Sequence, residues 1–585
     1  MQHSRASGAV AVLVSVLLVT GALAVLPFGT GVVGAASVEV TECTVIDRSG
    51  TYVLTGDIDG TTSPAVACIR IQSSNVTLDG QGYTVTNTGR GVEVQAEDSD
   101  TVRLENVVLR NLTVDAGTYG VVSYRAGTVV DGVDVLGRGG WGVVLQFGDL
   151  TVSNSSIVFE DVPEPDPFTL STRGVYVFSG NLTLADSTVS ITCASGLSCG
   201  SGVQLSPSPT VESSVLVSGS AISAGTGLYA TTGEWPLVVI EGSRIDAQQY
   251  GVWARFGTSA DLVVRDNDIT TGRYGVWLEG DGHVVTDNRI TGPAEVGIAL
   301  LGNGTLAERN VVTGSTGVGI GVVGEAGLLR DNAVNETSGV GFLVLGTDVS
   351  VVRATVNPTL SFVGDDVSLS AAEAPADGTD GLVGLGGYAT VALGQATPLA
   401  LGLNYTDEDA LGLDESSLAL YRYDEAAGAW VPLADGAVDP AGNVVSGTLA
   451  ETAIVAAFGA PATDTVEVDI AVKPGADPAP VNPKARGVVP VAVLHTDEFD
   501  PATVNVSSLR FGDAEDVAAG LGATAVHGGH AADVDGDGDL DLVVHFDARA
   551  AGFDGDETVA VLVGATADGT ALTGEDEVVV VGRPA

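Results

Sequence analysis

Short segments in which apolar and polar residues alternate return along this chain at near-constant spacing. Tyr-Gly-Val-Trp begins at Tyr250 and again at Tyr274, Val-Gly-Ile at Val296 and Val318, and Val-Gly-Phe at Val340. The glycines Gly251, Gly275, Gly297, Gly319 and Gly341 are 24, 22, 22 and 22 residues apart. A repeat this short cannot hold a pair of helices and fits one turn of a β-solenoid. Aligned on that glycine there are eleven coils, at Gly91, Gly120, Gly142, Gly174, Gly202, Gly227, Gly251, Gly275, Gly297, Gly319 and Gly341. Positions one and three after the glycine are apolar in nearly every coil, as in Val252 and Ala254, Val276 and Leu278, or Ile298 and Leu300. They are predicted to point inward, and positions two and four outward. A second ladder runs through Asn267, Asn288, Asn310 and Asn332, again about one coil apart, and reads as coil-to-coil hydrogen bonding at a turn.

The outward positions change character along the coil. Tyr176, Phe178, Tyr229, Trp253 and Trp277 occupy them in the middle, with Tyr250 and Tyr274 just before their glycines and Arg255 above Glu279. Stacked at strand spacing, these rings are predicted to form a stripe, a surface suited to sugar rings and equally able to act as a stabilising ladder. In the last coils the outward residues become aliphatic: Leu301, Val323, Leu343 and Leu345. An aliphatic run on so acidic a chain is expected to pack on the following domain or on a partner chain.

The Gly-Ile/Val and Asn-x-Ile rungs resemble those of the right-handed parallel β-helix superfamily, particularly its NosD-like and carbohydrate-active branches. The likeness covers about 43–345 and extends to the opening stretch Asn75-Val-Thr-Leu-Asp-Gly80. It implies an all-β solenoid and says little about activity, since one fold hosts many functions. Polygalacturonase-like members would carry paired aspartates near a Gly-His-Gly, and this solenoid has one histidine, His283. Pectate-lyase-like members use a basic proton acceptor beside calcium carboxylates, which Arg255 and Glu279 imitate thinly. The acidic loop holding Glu160, Asp161 and Glu164, stiffened by three prolines, supplies the remaining catalytic candidates. Copper is not expected by analogy with NosD, because the solenoid offers no cluster of His, Met or Cys.

Residues 1–36 read as a Sec signal peptide: Arg5, an apolar run from Ala9 to Leu26, then Gly34-Ala-Ala36. An uncleaved anchor is the other reading of that run. The formal charge is −50, with 74 acidic residues against 24 basic ones and only two lysines, Lys473 and Lys484. Dispersed acidity of this degree resembles a halophilic, haloarchaeal proteome and argues against nucleic acid or anionic lipid as a partner. Four cysteines in an exported chain suggest disulfides Cys43–Cys68 and Cys193–Cys199. Eight Asn-x-Ser/Thr sequons fit a glycosylated surface protein.

The repeat stops near Val351. Segments 351–462 read as a β-sandwich module and 463–585 as a second β-domain, following the solenoid at 37–350. The last domain holds Asp533-Val-Asp-Gly-Asp-Gly-Asp-Leu-Asp541, with carboxylates at alternate positions and a turn glycine, a spacing that suits a structural Ca²⁺. Side chains of Asp533, Asp535, Asp537 and Asp541 and the carbonyl of Asp539 are the expected ligands. Val544 stands where an EF-hand has its glutamate, so the loop resembles the shorter ones of extracellular β-domains. His527, His530 and His545 lie close by in sequence, open to a structural or a transition-metal role. The expected protein is thus an exported, secreted or cell-surface β-helix that binds polysaccharide without turning it over. A polysaccharide lyase or glycosidase and a purely structural envelope or adhesion protein are the alternatives.

Overall fold

The computed structural model describes residues 37–581 apart from 61–66, 100, 163–171, 194–199, 207–212, 232–236, 256–260, 357, 376–380, 396, 463–464, 477, 486, 556 and 568. Residues 1–36, expected as a signal peptide, together with Glu164 and Cys199, lie outside the described residues. Parallel strands stack coil on coil on three faces. The first face carries the motif strands, for example Tyr274–Glu279, Val296–Leu301, Val318–Val323 and Val340–Leu345. The second includes Leu237–Glu241 and Asp261–Arg265, and the third Asp268–Thr271 and Arg289–Thr291. Register is kept from rung to rung, with Trp253 opposite Trp277 and Trp277 opposite Ala299. Two rungs without the motif glycine, Thr44–Ile46 and Ala67–Ile71, begin the first face. The Cys43–Cys68 disulfide ties them together.

The inward positions are buried as the alternation requires: Val252, Ala254, Leu278, Ile298 and Leu300 are all at 0% exposure. The motif glycine has a steric cause that periodicity alone does not reveal. A Cβ on Gly251 would stand 2.5 Å from the carbonyl oxygen of Gly275 and 2.5 Å from Ile269 Cγ2. Every coil repeats this close approach where the third face turns into the first. Only glycine lets the coils stack at strand spacing there.

At the turn from second to third face, Asn267, Asn288, Asn310 and Asn332 are buried, and each of the first three donates its side-chain amide to the next asparagine's Oδ1 at 3.0 Å. Toward the N-terminus serines take over. The Ser155, Ser187 and Ser220 amides donate to the Oγ of the serine one coil on, and the Ser243 amide donates to Asn267 Oδ1. A buried polar ladder of this kind satisfies the turn amides that the sheets leave unpaired.

The solenoid does not end on an open edge. Val340–Leu345 pairs antiparallel with Val367–Ala372, and Val349–Thr355 pairs with Thr359–Gly364. Apolar residues from Val40 through Leu369 and Val391 to Ala457 form one continuous core. This capping is made through backbone pairing. Val323 and Leu345 stay 43% and 41% exposed while Leu301 and Leu343 are half-buried, so the following strands leave part of the expected aliphatic outward run uncovered. A separate core around Phe511 and Phe546 holds the last segment together, and Arg510 pairs with Glu408 across to the preceding one.

Candidate functional site

The middle of the first face carries the predicted rings in two patches. In the first-described stripe, Tyr229 and Trp253 have ring centroids 4.7 Å apart, Tyr250 and Trp253 stack at 4.8 Å, and Tyr250 stacks on Tyr274 at 4.6 Å with an 11° tilt. Trp277 meets Tyr274 edge-on at 5.3 Å. Arg273 lies over Tyr274, whose hydroxyl donates to Glu295. That hydrogen bond, followed by burial, pushes the Tyr274 phenol up, and the same bond with the Arg273 contact holds Glu295 below the usual glutamate range. These rings are half-buried: they pack on one another and still meet solvent.

The second patch lies toward the N-terminus and is larger than its sequence implied. Tyr176 sits 4.6 Å from Trp141, which meets Tyr119 edge-on at 5.2 Å. Phe178 stands 5.3 Å from Phe147, itself 6.0 Å from Tyr124. Tyr119 and Trp141 occupy the position before the motif glycine, as Tyr250 and Tyr274 do. That shared position was the signal available in the sequence. Arg173 lies 4.5 Å over both Trp141 and Tyr176 and donates to Gln204. Burial presses its guanidinium below the usual arginine value, the two neighbouring tyrosines opposing the shift. It has no carboxylate partner among the described residues, whereas Arg255, Arg265, Arg309 and Arg353 each pair with a carboxylate one coil away. The indole N–H of Trp141 is buried without an acceptor. Beside this patch a hollow of about 280 Å³ is lined by Arg103, Arg125, Phe147, Gly148, Asp149, Gly180 and Asn181.

The catalytic candidates are not assembled. Arg255 and Glu279 form an ion pair at 2.7 Å, and the second Glu279 oxygen accepts from the Trp277 indole at 3.3 Å. Glu160 and Asp161 belong to the strand Ser156–Val162 and not to a projecting loop. Phe159 on that strand is buried, and Glu160 is exposed on the third face. Glu164 is among the residues not described.

In the C-terminal module, Asp533, Asp535 and Asp541 each bring a carboxylate oxygen within 4.8 Å of the others. Asp541 is 1% exposed, and its two oxygens accept from the amides of His495 and Val534, each at 2.8 Å. Gly536 and Gly538, with φ of +85° and +100°, close the turn. Asp537 does not join the cluster as the spacing suggested. Its carboxylate accepts from the Asp539 amide at 2.8 Å, as those of Asp533 and Asp535 accept from the Gly536 and Asp537 amides. Three converging carboxylates, one of them buried, fit a hard cation with oxygen ligands. Cys193 is disulfide-bonded, and Cys199 lies outside the described residues.

A family model described as a right-handed beta helix region matches residues 226–359. The chain is a right-handed β-helix protein. Among solved structures this β-helix is similar to a double-mutant tailspike protein of E. coli bacteriophage HK620 in complex with a pentasaccharide, at 11% identity and a TM-score of 0.38, covering 70% of this chain and 87% of that one. It is similar also to the Dettilon tailspike protein, at 11% identity and a TM-score of 0.24, covering 72% and 86%. A third is PfbA, a surface adhesin of Streptococcus pneumoniae, at 10% identity and a TM-score of 0.22, covering 54% and 89%. No curated protein matches the β-helix chain.

Proposed function

We propose that this is an exported surface or secreted protein whose first β-helix face binds polysaccharide without turning it over, its C-terminal module held by a structural Ca²⁺ on Asp533, Asp535 and Asp541. The observation that carries this reading is the concentration of half-exposed rings on one face. Three of the five tryptophans, Trp141, Trp253 and Trp277, lie there in a chain only 5% aromatic. Rings in register a coil apart offer sugar units a row of stacking platforms.

Binding without turnover is supported by the candidate catalytic groups. Arg255 and Glu279 occupy one another, and Glu160 is on a different face. The patch around Arg173 favours an acidic sugar. A guanidinium held over two rings and free of a counter-carboxylate among the described residues is a ready partner for a uronate or a sulfate. The other patch, where Arg273 and Arg255 are already neutralised by Glu295 and Glu279, suits a neutral unit.

The test is equilibrium binding of an acidic and a neutral polysaccharide to single variants whose circular dichroism matches the parent. Trp253→Ala is expected to weaken binding of both about tenfold, the loss of one stacking platform worth about 1.4 kcal/mol. Arg173→Gln is expected to weaken the acidic polymer alone. Affinity unchanged in both variants would remove the first face from the reading.

A further inference from the structure

Four of the six histidines lie in the C-terminal module, and three of them, His527, His530 and His545, gather beside the carboxylate loop. His545 lies on the strand Asp541–Asp547, and His530 opens the neighbouring strand His530–Ala532. His527 precedes it across Gly528-Gly529. The His527 and His545 ring centroids are 4.9 Å apart, and those of His530 and His545 are 5.8 Å apart. We propose that His527, His530 and His545 form a site for a divalent ion of the zinc and nickel class, distinct from the carboxylate loop.

Three observations carry this. The first is spacing: imidazoles bound tetrahedrally at a Zn–N distance of about 2.0–2.1 Å have centroids about 5 Å apart, and the two separations bracket that value. The second is an orphaned atom. His545 Nδ1 is buried and has no hydrogen-bond partner, a costly state that a metal bond would relieve. Third, the turn bearing the other two ligands can adjust. His527 and His530 are exposed, a Cβ at Gly528 would meet nothing within 4 Å, and Gly529 has φ +66°. The His530 ring lies near-parallel to that of His545, at 18°, so ligation requires the two exposed rings to rotate about their side-chain bonds. The donors also set the ion class. Imidazole nitrogens suit zinc, nickel and their neighbours and not Ca²⁺, which the all-oxygen loop would take.

The experiment is calorimetric titration of the untagged full mature chain with Zn²⁺ alone, in saturating Ca²⁺. One ion per chain is expected, with a Kd below about 10 µM. His545→Ala and the exposed-site double variant His527→Ala/His530→Ala should each lose at least tenfold in affinity, and Asp535→Asn should keep it. The double variant serves as the folding-neutral arm, since both side chains are on the surface. No saturable uptake, uptake unchanged in the double variant, or uptake lost in Asp535→Asn would each overturn the proposal.

Discussion

Replacing Asn310 by alanine removes the middle of the buried asparagine ladder, and the structure allows its cost to be counted. The Asn310 Oδ1 accepts from the backbone amide of Asn288 at 3.1 Å and from its side-chain amide at 3.0 Å. Its own side-chain amide donates to Val285 O at 2.8 Å and to Asn332 Oδ1 at 3.0 Å. After truncation the Asn288 side-chain amide still reaches Val264 O and Thr286 O, and Asn332 Oδ1 keeps the Asn310 backbone amide. The Asn288 backbone amide, at a position 1% exposed, is left with nothing. One orphaned buried donor costs about 1–3 kcal/mol and the three other lost bonds about 0.5–1.5 kcal/mol each, so Asn310→Ala is expected to cost about 2.5–7.5 kcal/mol. Asn332→Ala, at the end of the ladder, loses one side-chain bond fewer and should cost less, about 2–6 kcal/mol by the same count. Urea unfolding followed by tryptophan emission reads this directly, because Trp253 and Trp277 lie in the coils that the ladder joins. A chain of this size need not unfold in one step, so the transition compared is the one those two tryptophans report. A cost below about 1 kcal/mol for Asn310→Ala, or a larger cost for Asn332→Ala, would refute the view that the ladder is a structural element satisfying turn amides.

Three other outcomes are expected. Gly251→Ala drives a Cβ to within 2.5 Å of a backbone carbonyl and should destabilise by about 1–3 kcal/mol, while Gly56→Ala, where a Cβ meets nothing within 4 Å, should be neutral or slightly stabilising; thermal unfolding compares them. Chelation of Ca²⁺ should lower the melting temperature of the C-terminal module, by about 2.7 kcal/mol of lost stability if the ion was present at a hundred times its Kd, and Asp535→Asn should abolish that sensitivity. Asp79 is shifted upward by burial, but the Gln81 amide, the Asn111 side chain and the Arg110 guanidinium outweigh it and hold the carboxyl below the ordinary aspartate value. Its stabilisation is therefore present above that value and lost as the pH falls through it, so acid titration of stability should be shallower below about pH 4 in Asp79→Asn than in the parent.

The repeat, the inward alternation and the asparagine ladder could be read from sequence because each is a one-residue rule imposed on every coil by stacking. What escaped was set by contacts between neighbours on different faces. The need for glycine at Gly251 comes from a carbonyl one coil away and a third-face isoleucine. Tyr119 and Trp141 join the first face from the position before the glycine, in coils whose wording differs from Tyr-Gly-Val-Trp. The serine rungs at Ser187 and Ser220 do in a shorter side chain what asparagine does later, and no single motif covers both. In the Asp-rich loop, spacing alone could not show which of the alternate carboxylates converge, and the Asp537 oxygens stand outside the cluster of Asp533, Asp535 and Asp541. Nor could the aliphatic character of Val323 and Leu345 tell that the next strands cap the coil by backbone pairing and leave those side chains in water.

The central claim is that the first face holds polysaccharide and leaves it whole. The most direct measurement is to incubate the mature chain, in molar salt with Ca²⁺, with a panel of acidic and neutral polysaccharides and to follow both protein co-elution and polymer size by gel filtration. Co-elution with polymer of unchanged length, lost in the Trp253→Ala/Trp277→Ala variant, is the predicted result. Shortened polymer would make the protein an enzyme, and no co-elution with any polymer would leave the rings as a ladder that serves the coil alone.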